Sequence, residues 1–272
     1  MKYSKIIEEM RTVRDYKEEP VSPALIEEVI ETGKSAAGIA DGRNVSILFI
    51  DHGKEVFERL SGKAGYFGKM VEAPHYIVIT SKIFPNYLEN SGYIMELMRL
   101  KARELGLGTC WLSIADEKTL KEILAIGGEE KITAFAAIGH SYKGIFKNDL
   151  SKQSSRMGLE EIGFLNRWGS PCTLEDLEAR GLANVFYHTR LAPSWGNRQP
   201  WQFIIDKDRI LLTIQKEERE DLRLDAGIVM LYFEKAAHDD GLSGSWSLDV
   251  PEDMKETYGV PDDHHLIGYY SI

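Results

Sequence analysis

The sequence predicts a mixed α/β or α+β fold, and three observations indicate it. Segments with apolar residues at helical spacing alternate along the whole chain with short runs rich in Val, Ile and Phe. Capping residues and glycines stand where such helices would begin and end. The same order of elements occurs twice in the 272 residues, which amount to a little under two domains at about 150 residues each. We therefore expect layers of helices packed on sheets.

In the first half of the chain, Ser22 and Pro23 provide an N-cap and a first-turn proline for a helix whose apolar residues follow at helical spacing. Strands are predicted where β-branched and aromatic residues cluster, at residues 47–50, 76–79 and 134–139. Helices and strands are thus expected to interleave in this half.

The second half repeats these signals. Thr173 followed by Asp176 forms a capping box ahead of another apolar helical pattern. The matching strands are predicted at residues 203–205, 210–214 and 266–268. Each of them has a counterpart in the first half.

The clearest repeat is a helix followed by an extended run. In residues 92–111 and again in residues 227–246, a glycine is followed 14 positions later by a second glycine and 5 positions after that by a tryptophan. We interpret this as an internal duplication. Copy one then covers residues 1–145, a polar connection covers residues 146–165, and copy two covers residues 166–272.

Composition and charge exclude several classes of protein. The 33 Lys and Arg against 43 Asp and Glu leave a net charge of −10, which disfavours a nucleic-acid binder. Two cysteines, Cys110 and Cys172, are too few for a disulfide scaffold or a Cys-rich zinc module. The sequence shows no secretory leader and no apolar stretch of membrane-spanning length, so we expect a soluble, cytoplasmic protein that binds neither nucleic acid nor membrane.

The most informative stretch for function is residues 192–201, which read APSWGNRQPW. It places two prolines, a glycine and hydroxyl or amide side chains between a predicted helix and a predicted strand. Such a loop can be shaped to hydrogen-bond the edge of a planar heteroaromatic ligand, although the same composition also suits a rigid turn.

This stretch resembles the flavin-binding loop of the nitroreductase family, in which Ala-Pro-Ser-x-x-Asn-x-Gln-Pro-Trp lies between a helix and a strand. Three other segments resemble the family as well: the arginine run of residues 11–14 (RTVR), residues 106–111 (GLGTCW) and the Ala-Pro strand that begins at residue 73. The resemblance narrows the class to α+β: it implies a nitroreductase-like three-layer fold with helices and antiparallel-rich mixed sheets, and FMN as cofactor.

The resemblance also assigns the cofactor-binding residues. The phosphate of FMN would be bound by the arginine run, through two guanidinium forks with a hydroxyl between them. Lys69 would lie near N1 and O2 of the flavin and stabilise its anionic reduced form. The cofactor-binding residues implied in this way are Arg11, Thr12, Arg14, Lys69, Pro193, Ser194, Asn197 and Gln199. No metal ligands are assigned, and no side chain is required as catalytic acid or base.

The two motifs fall in different copies of the duplication. Copy one has lost the flavin loop, because the positions aligned with its four residues hold Ala37, Gly38, Asp41 and Arg43. Copy two has lost the phosphate-binding run, because the aligned positions hold Ile162, Gly163 and Leu165. Nitroreductases are typically homodimers with flavin at the subunit interface, so we expect a monomer that acts as an intrachain pseudo-dimer with one FMN, with further self-association left open.

The implied function is transfer of electrons from NADH or NADPH, through FMN, to a small-molecule acceptor such as a nitroaromatic or quinone in a ping-pong sequence. A non-catalytic FMN carrier or regulator is one alternative. Another flavin reaction on the same fold is a second, including dehydrogenation, dehalogenation and flavin fragmentation.

Overall fold

The computed structural model describes residues 2–36, 38–40, 44–65, 69–142 and 155–272. Helices and strands alternate along these residues, and the predicted α+β class is confirmed. The α-helices are α1 (Tyr3–Glu9), α2 (Pro23–Ser35), α3 (Gly53–Leu60), α4 (Tyr87–Glu104), α5 (Glu117–Ile123), α6 (Leu159–Ile162), α7 (Leu174–Ala179), α8 (Ala183–Thr189), α9 (Leu224–Asp239) and α10 (Met254–Thr257). The strands are β1 (Val45–Ile50), β2 (Ala64–Gly65), β3 (His75–Ser81), β4 (Gly108–Trp111), β5 (Ser113–Ile114), β6 (Lys131–Gly139), β7 (Gly163–Leu165), β8 (Trp201–Ile205), β9 (Arg209–Gln215), β10 (Trp246–Ser247) and β11 (His264–Ser271).

The chain divides into two compact units. The first unit consists of Glu9–Tyr87 and Ile94–Gln153. The second unit consists of Met1–Glu8, Leu88–Tyr93 and Ser154–Ile272. Each unit contains its own main sheet.

The sheet of the first unit has the order β1-β3-β6-β4, and all its pairs are antiparallel. Successive side chains of β3 point to opposite faces. Ile77 and Ile79 pack in a core with residues of α2 and α4, whereas Tyr76 and Val78 pack in a second core with residues of α3 and α5. The sheet therefore lies between two helical layers, which is why β3 is apolar on both faces.

The sheet of the second unit has the order β10-β11-β9-β8-β7. Its pairs are antiparallel except for β7, which lies parallel to β8. On one face, Ile204 packs with residues of α10. On the other, Phe203 contacts Phe186 of α8 and Phe233 of α9, with ring centroids 5.2 and 5.9 Å apart.

The two sheets share an arrangement. The order β1-β3-β6-β4 corresponds to β8-β9-β11-β10 when each strand is replaced by its counterpart in the sequence repeat. Both long helices end just before a glycine in the left-handed region, Gly106 with φ 79° and Gly241 with φ 87°. A common order is what the duplication predicts, and the duplication itself stays a prediction.

The start of α4 crosses α9 within the second unit at a pair of glycines. A Cβ on Gly92 would lie 2.2 Å from the carbonyl oxygen of Leu224. Conversely, a Cβ on Gly227 would lie 1.8 Å from the carbonyl oxygen of Glu89. Each glycine thus faces the residue three positions before the other, so the contact is reciprocal, as in an isologous interface.

The helix start predicted at Thr173 is observed with its capping box, and the one predicted at Ser22 is observed without its capping hydrogen bond. Thr173 and Asp176 form the expected capping box, with the Asp176 N–H donating to the Thr173 hydroxyl at 3.2 Å and the Thr173 N–H donating to the Asp176 carboxylate at 2.9 Å. Ser22 occupies the N-cap position of α2, but its side chain makes no capping hydrogen bond. Pro23 alone then provides the expected start signal.

The predicted connection of residues 146–165 lies partly outside the described residues, since residues 143–154 are not among them. Its later part forms α6 and β7. The boundaries of the two copies stay a prediction. In the described part of the chain, no helix combines the length and apolarity needed to cross a bilayer.

Candidate functional site

The arginine run of residues 11–14 lies in the first unit and is extended. Thr12 pairs with Thr109 of β4 as a parallel bridge, and the Val13 N–H donates to the Thr109 carbonyl at 2.9 Å. A Cβ on Gly108 would lie 2.7 Å from Cγ2 of Val13, so this glycine provides the space for the valine side chain. The run is therefore held as an added segment beside β4.

Both guanidinium groups of the run belong to exposed residues. Arg11 and Arg14 are exposed, and Thr12 between them is half-buried. The Arg11 Nη1 donates to the carbonyl of Met10 at 2.6 Å. Two forked cations with a hydroxyl between them, on a backbone fixed by pairing, are donors suited to a phosphate dianion.

Two neighbours of the run, the half-buried Tyr16 and the buried Cys110, have raised pKa values. Burial raises the pKa of Tyr16 well above its ordinary value, against smaller opposing effects of the Arg99 and Arg14 charges. Burial likewise raises the pKa of the Cys110 thiol. This cysteine is fully buried, so its thiol serves as a small packing group.

Lys69 is exposed in the segment between β2 and β3. A Cβ on Gly65 would lie 2.2 Å from the carbonyl oxygen of Lys69, and Gly65 has φ 136°, so glycine is needed for this close approach. Residues 66–68 lie outside the described residues. The backbone at Lys69 is thus positioned by β2.

The predicted flavin loop lies in the second unit between α8 and β8, as the sequence indicates. A single 3₁₀ turn spans Trp195–Asn197. The Ser194 hydroxyl accepts from the Gln199 N–H at 2.9 Å. Asn197 and Gln199 adopt φ of 58° and 51°, a conformation that costs about 1 kcal/mol or more for a non-glycine residue. Such conformations persist where surrounding contacts enforce them.

Those contacts come from Ser155–Met157. Arg156 Nη1 donates to Oδ1 of Asn197 at 2.6 Å, and Asn197 Nδ2 donates to the Ser155 carbonyl at 3.0 Å. Gln199 Oε1 accepts from the Met157 N–H at 2.9 Å. These hydrogen bonds from residues 155–157 orient both amide side chains. They fix the direction in which each amide presents its N–H donors and its oxygen acceptor.

Asp225 at the start of α9 holds the other side of the loop. Its buried carboxylate accepts from the Trp195 N–H at 3.1 and 3.2 Å. The Trp195 indole is 36% exposed, and the guanidinium of Arg219 lies 4.9 Å from its ring centroid. The backbone of this loop is therefore anchored while an aromatic ring stands at the surface.

Arg190 is a second arginine near the loop, beside Arg156. Burial lowers the pKa of Arg156, and the nearby charge of Arg190 lowers it further. Arg190 Nη1 donates to the Met157 carbonyl at 3.2 Å, and its buried Nε has no hydrogen-bond partner among the described residues. Two arginines thus lie beside the segment that orients the loop amides, and one of them bonds directly to Asn197.

The predicted site residues fall into two sets. Those of the first unit are Arg11, Thr12, Arg14 and Lys69, and those of the second unit are Pro193, Ser194, Asn197 and Gln199. Of the second set, Gln199 is buried and the other three are half-buried. The sequence did not indicate Arg156 or Asp225, because the first lies in the apparent connection and the second on a helix about 30 residues from the loop.

The donor sets fit FMN. The arginine run offers charged donors for a phosphate, and the loop offers oriented amides for a planar ring with hydrogen-bonding edges. Among the described residues, no group of three or more His, Cys, Asp or Glu side chains is arranged to hold a metal ion.

Comparisons with known proteins identify the family and the fold of the chain. The family model described as "Putative TM nitroreductase" matches residues 2–237. No curated protein matches the sequence. Among solved structures, a protein of Thermotoga maritima described as a putative nitroreductase is 16% identical, with a TM-score of 0.62 over 100% of this chain and 93% of that one.

A nitroreductase family protein of Clostridium difficile 630 is 19% identical, with a TM-score of 0.50 over 60% of this chain and 96% of that one. An FMN-dependent nitroreductase of Clostridium difficile R20291 is 25% identical, with a TM-score of 0.46 over 51% of this chain and 87% of that one. The first two show a shared fold, and the family model covers most of the sequence. The chain therefore belongs to the TM nitroreductase family.

Proposed function

We propose that the protein is an FMN-dependent oxidoreductase that uses NADH or NADPH to reduce a small acceptor such as a nitroaromatic or quinone. Family membership supports the general class. The observation that carries the proposal is the arginine run, in which two exposed guanidinium groups flank Thr12 on a backbone fixed by Thr109. Such a cluster recognises a phosphate dianion.

The residues of the chain have distinct proposed tasks. Arg11, Thr12 and Arg14 bind the phosphate, and the loop of residues 193–199 orients the ring system through Asn197 and Gln199. Lys69 contributes a positive charge that favours the anionic reduced form. When bound, FMN supplies the hydride chemistry itself. The residues of the protein then bind and orient the cofactor.

We further propose a stoichiometry of one FMN per chain. The support is in the sequence, because each copy retains only one of the two motifs. Purified protein reconstituted with excess FMN and then freed of unbound cofactor should show flavin absorbance equal to one FMN per chain. A ratio near two would contradict the complementary loss of motifs.

The activity is tested with the reconstituted protein. We expect NADH or NADPH to bleach the flavin bands in the absence of oxygen, and menadione or nitrobenzene to restore them. Bound flavin that neither nucleotide bleaches would contradict the oxidoreductase proposal and indicate a carrier.

The phosphate-binding role is tested with Arg14→Ala. Loss of one charge-assisted phosphate contact should raise the Kd for FMN about tenfold to 150-fold, at about 1.5–3 kcal/mol for a hydrogen bond to a charged group. The Kd for riboflavin, which lacks the phosphate, should stay unchanged. Lys63→Ala removes another exposed cation of the first unit and serves as the control. Equal effects of Arg14→Ala on both flavins would contradict the assigned role.

A further inference from the structure

A buried ion pair lies behind the arginine run in the first unit. Arg99 and Glu96 stand one turn apart on α4, their side chains are 3% and 0% exposed, and Arg99 Nη1 lies 2.5 Å from Glu96 Oε2. The same carboxylate oxygen accepts from Nε1 of Trp111 at 2.7 Å. Removing two charges from water costs several kcal/mol per ion, and apolar residues of similar volume are often at least as stabilising. Stabilisation of the core is therefore a weak explanation for the presence of this buried ion pair.

Arg99 also bonds to the strand that holds the arginine run. Its Nε donates to Oγ1 of Thr109 at 3.0 Å. Thr109 in turn accepts from the Val13 N–H through its carbonyl and pairs with Thr12. A chain of three contacts thus leads from Glu96 to the backbone between Arg11 and Arg14.

The guanidinium geometry explains why arginine suits this place. Its planar fork donates to Glu96 from one side and to Thr109 from another, which the single ammonium of lysine does not reproduce. The fork also lies 5.8 Å from the ring centroid of Trp111, the last residue of β4. Arg99 therefore contacts two residues of β4, Thr109 and Trp111.

We propose that Arg99 is a positioning residue for phosphate binding. Held by Glu96, it fixes Thr109 and so sets the backbone from which Arg11 and Arg14 reach the phosphate of FMN. The inference rests on the proposed function and adds to it the residue that orders the phosphate-binding run.

The first test is Thr109→Val, which removes the hydroxyl that Arg99 contacts and keeps the backbone pairing. The Kd values for FMN and riboflavin are measured by quenching of flavin fluorescence. We expect the Kd for FMN to rise about tenfold, equivalent to 1.4 kcal/mol, and the Kd for riboflavin to stay within about twofold. Thr133→Val is the control, since it removes another buried hydroxyl of the same sheet, one that donates to the Ile79 carbonyl at 3.3 Å.

A second test removes the pair as a whole. The double variant Glu96→Leu, Arg99→Leu removes both buried charges of the pair together and should fold. We expect it to lose FMN affinity as Thr109→Val does, with riboflavin affinity retained. Arg99→Lys, which keeps the charge without the second fork contact, should give an intermediate FMN affinity.

The outcomes separate the possibilities. If Thr109→Val and the double variant both leave the two Kd values unchanged, the positioning role is overturned. It is also overturned if both variants raise the two Kd values by the same factor, which would show that the pair only supports the sheet. If the wild-type protein binds neither flavin, the proposed function itself fails. If the wild type prefers FMN and the variants keep that preference, only the role of Arg99 fails.

Discussion

His75, the first residue of β3, is held as one neutral tautomer. Its Nδ1–H donates to the Asp51 carbonyl at 3.1 Å, and its Nε2 accepts from the Val21 N–H at 3.0 Å. Burial lowers the pKa of His75 below its ordinary value of 6.5. A proton added at Nε2 would remove the hydrogen bond to Val21.

A pH dependence of stability follows from this residue. The unfolded chain binds the proton at a higher pH than the folded one, so the stability that neutral His75 contributes is present above about pH 6.5 and decreases as the pH falls towards the folded pKa. We expect the free energy of unfolding to fall between about pH 7 and about pH 5, with a smaller slope in His75→Gln. Equal slopes, measured by urea unfolding at each pH, would contradict this assignment.

Single residues also mark the limit of sequence reasoning. The capping box at Thr173 was predictable because its two partners lie three residues apart and the interaction is local. The contact of Arg99 with Thr109 was not, because a charged residue within a helical pattern is normally placed on the solvated face. Arg99 is buried against β4, and the spacing of apolar residues within α4 carries no information about that strand.

At the scale of elements, the loop of residues 192–201 depends on contacts beyond its own motif. The resemblance predicted its residues and its place between a helix and a strand, and the structure shows that place. The positive φ values of Asn197 and Gln199, and the segment 155–157 that orients their amides, depend on tertiary contacts. A local sequence pattern does not contain that information.

The anchor of this loop can be tested separately from the phosphate-binding run. Asp225→Ala leaves the Trp195 N–H without its carboxylate acceptor. Since the loop is proposed to orient the ring system, which both flavins share, we expect the Kd for FMN and for riboflavin to rise by similar factors, about tenfold. Asp262→Ala, which removes an exposed partner of Lys255, is the control. A loss confined to FMN would place Asp225 with phosphate binding instead.

At the scale of the whole molecule, the sequence repeat has its strongest consequence in the order of strands within the two sheets. Spacing along the chain predicted matched elements, and the two sheets place those elements in the same order. The additional strand β7 was not predicted, because three residues with one parallel neighbour give almost no periodic signal. The reciprocal contact of Gly92 and Gly227 could not be predicted from sequence spacing either. It requires two helices, whose repeated glycines are 135 positions apart, to meet at those glycines.

This reciprocity predicts how substitutions combine. Gly92→Ala and Gly227→Ala each force a Cβ against a backbone carbonyl, so we expect each to lower the free energy of unfolding by about 3 kcal/mol. Because either Cβ pushes the same two helices apart, the second should add little once the first is present, and the double variant should resemble the worse single variant. Gly127→Ala, at a glycine with open space around it, should change stability by less than about 0.5 kcal/mol. Additive losses at Gly92 and Gly227, measured by denaturant unfolding, would show two independent packing sites and contradict a shared crossing of the isologous kind.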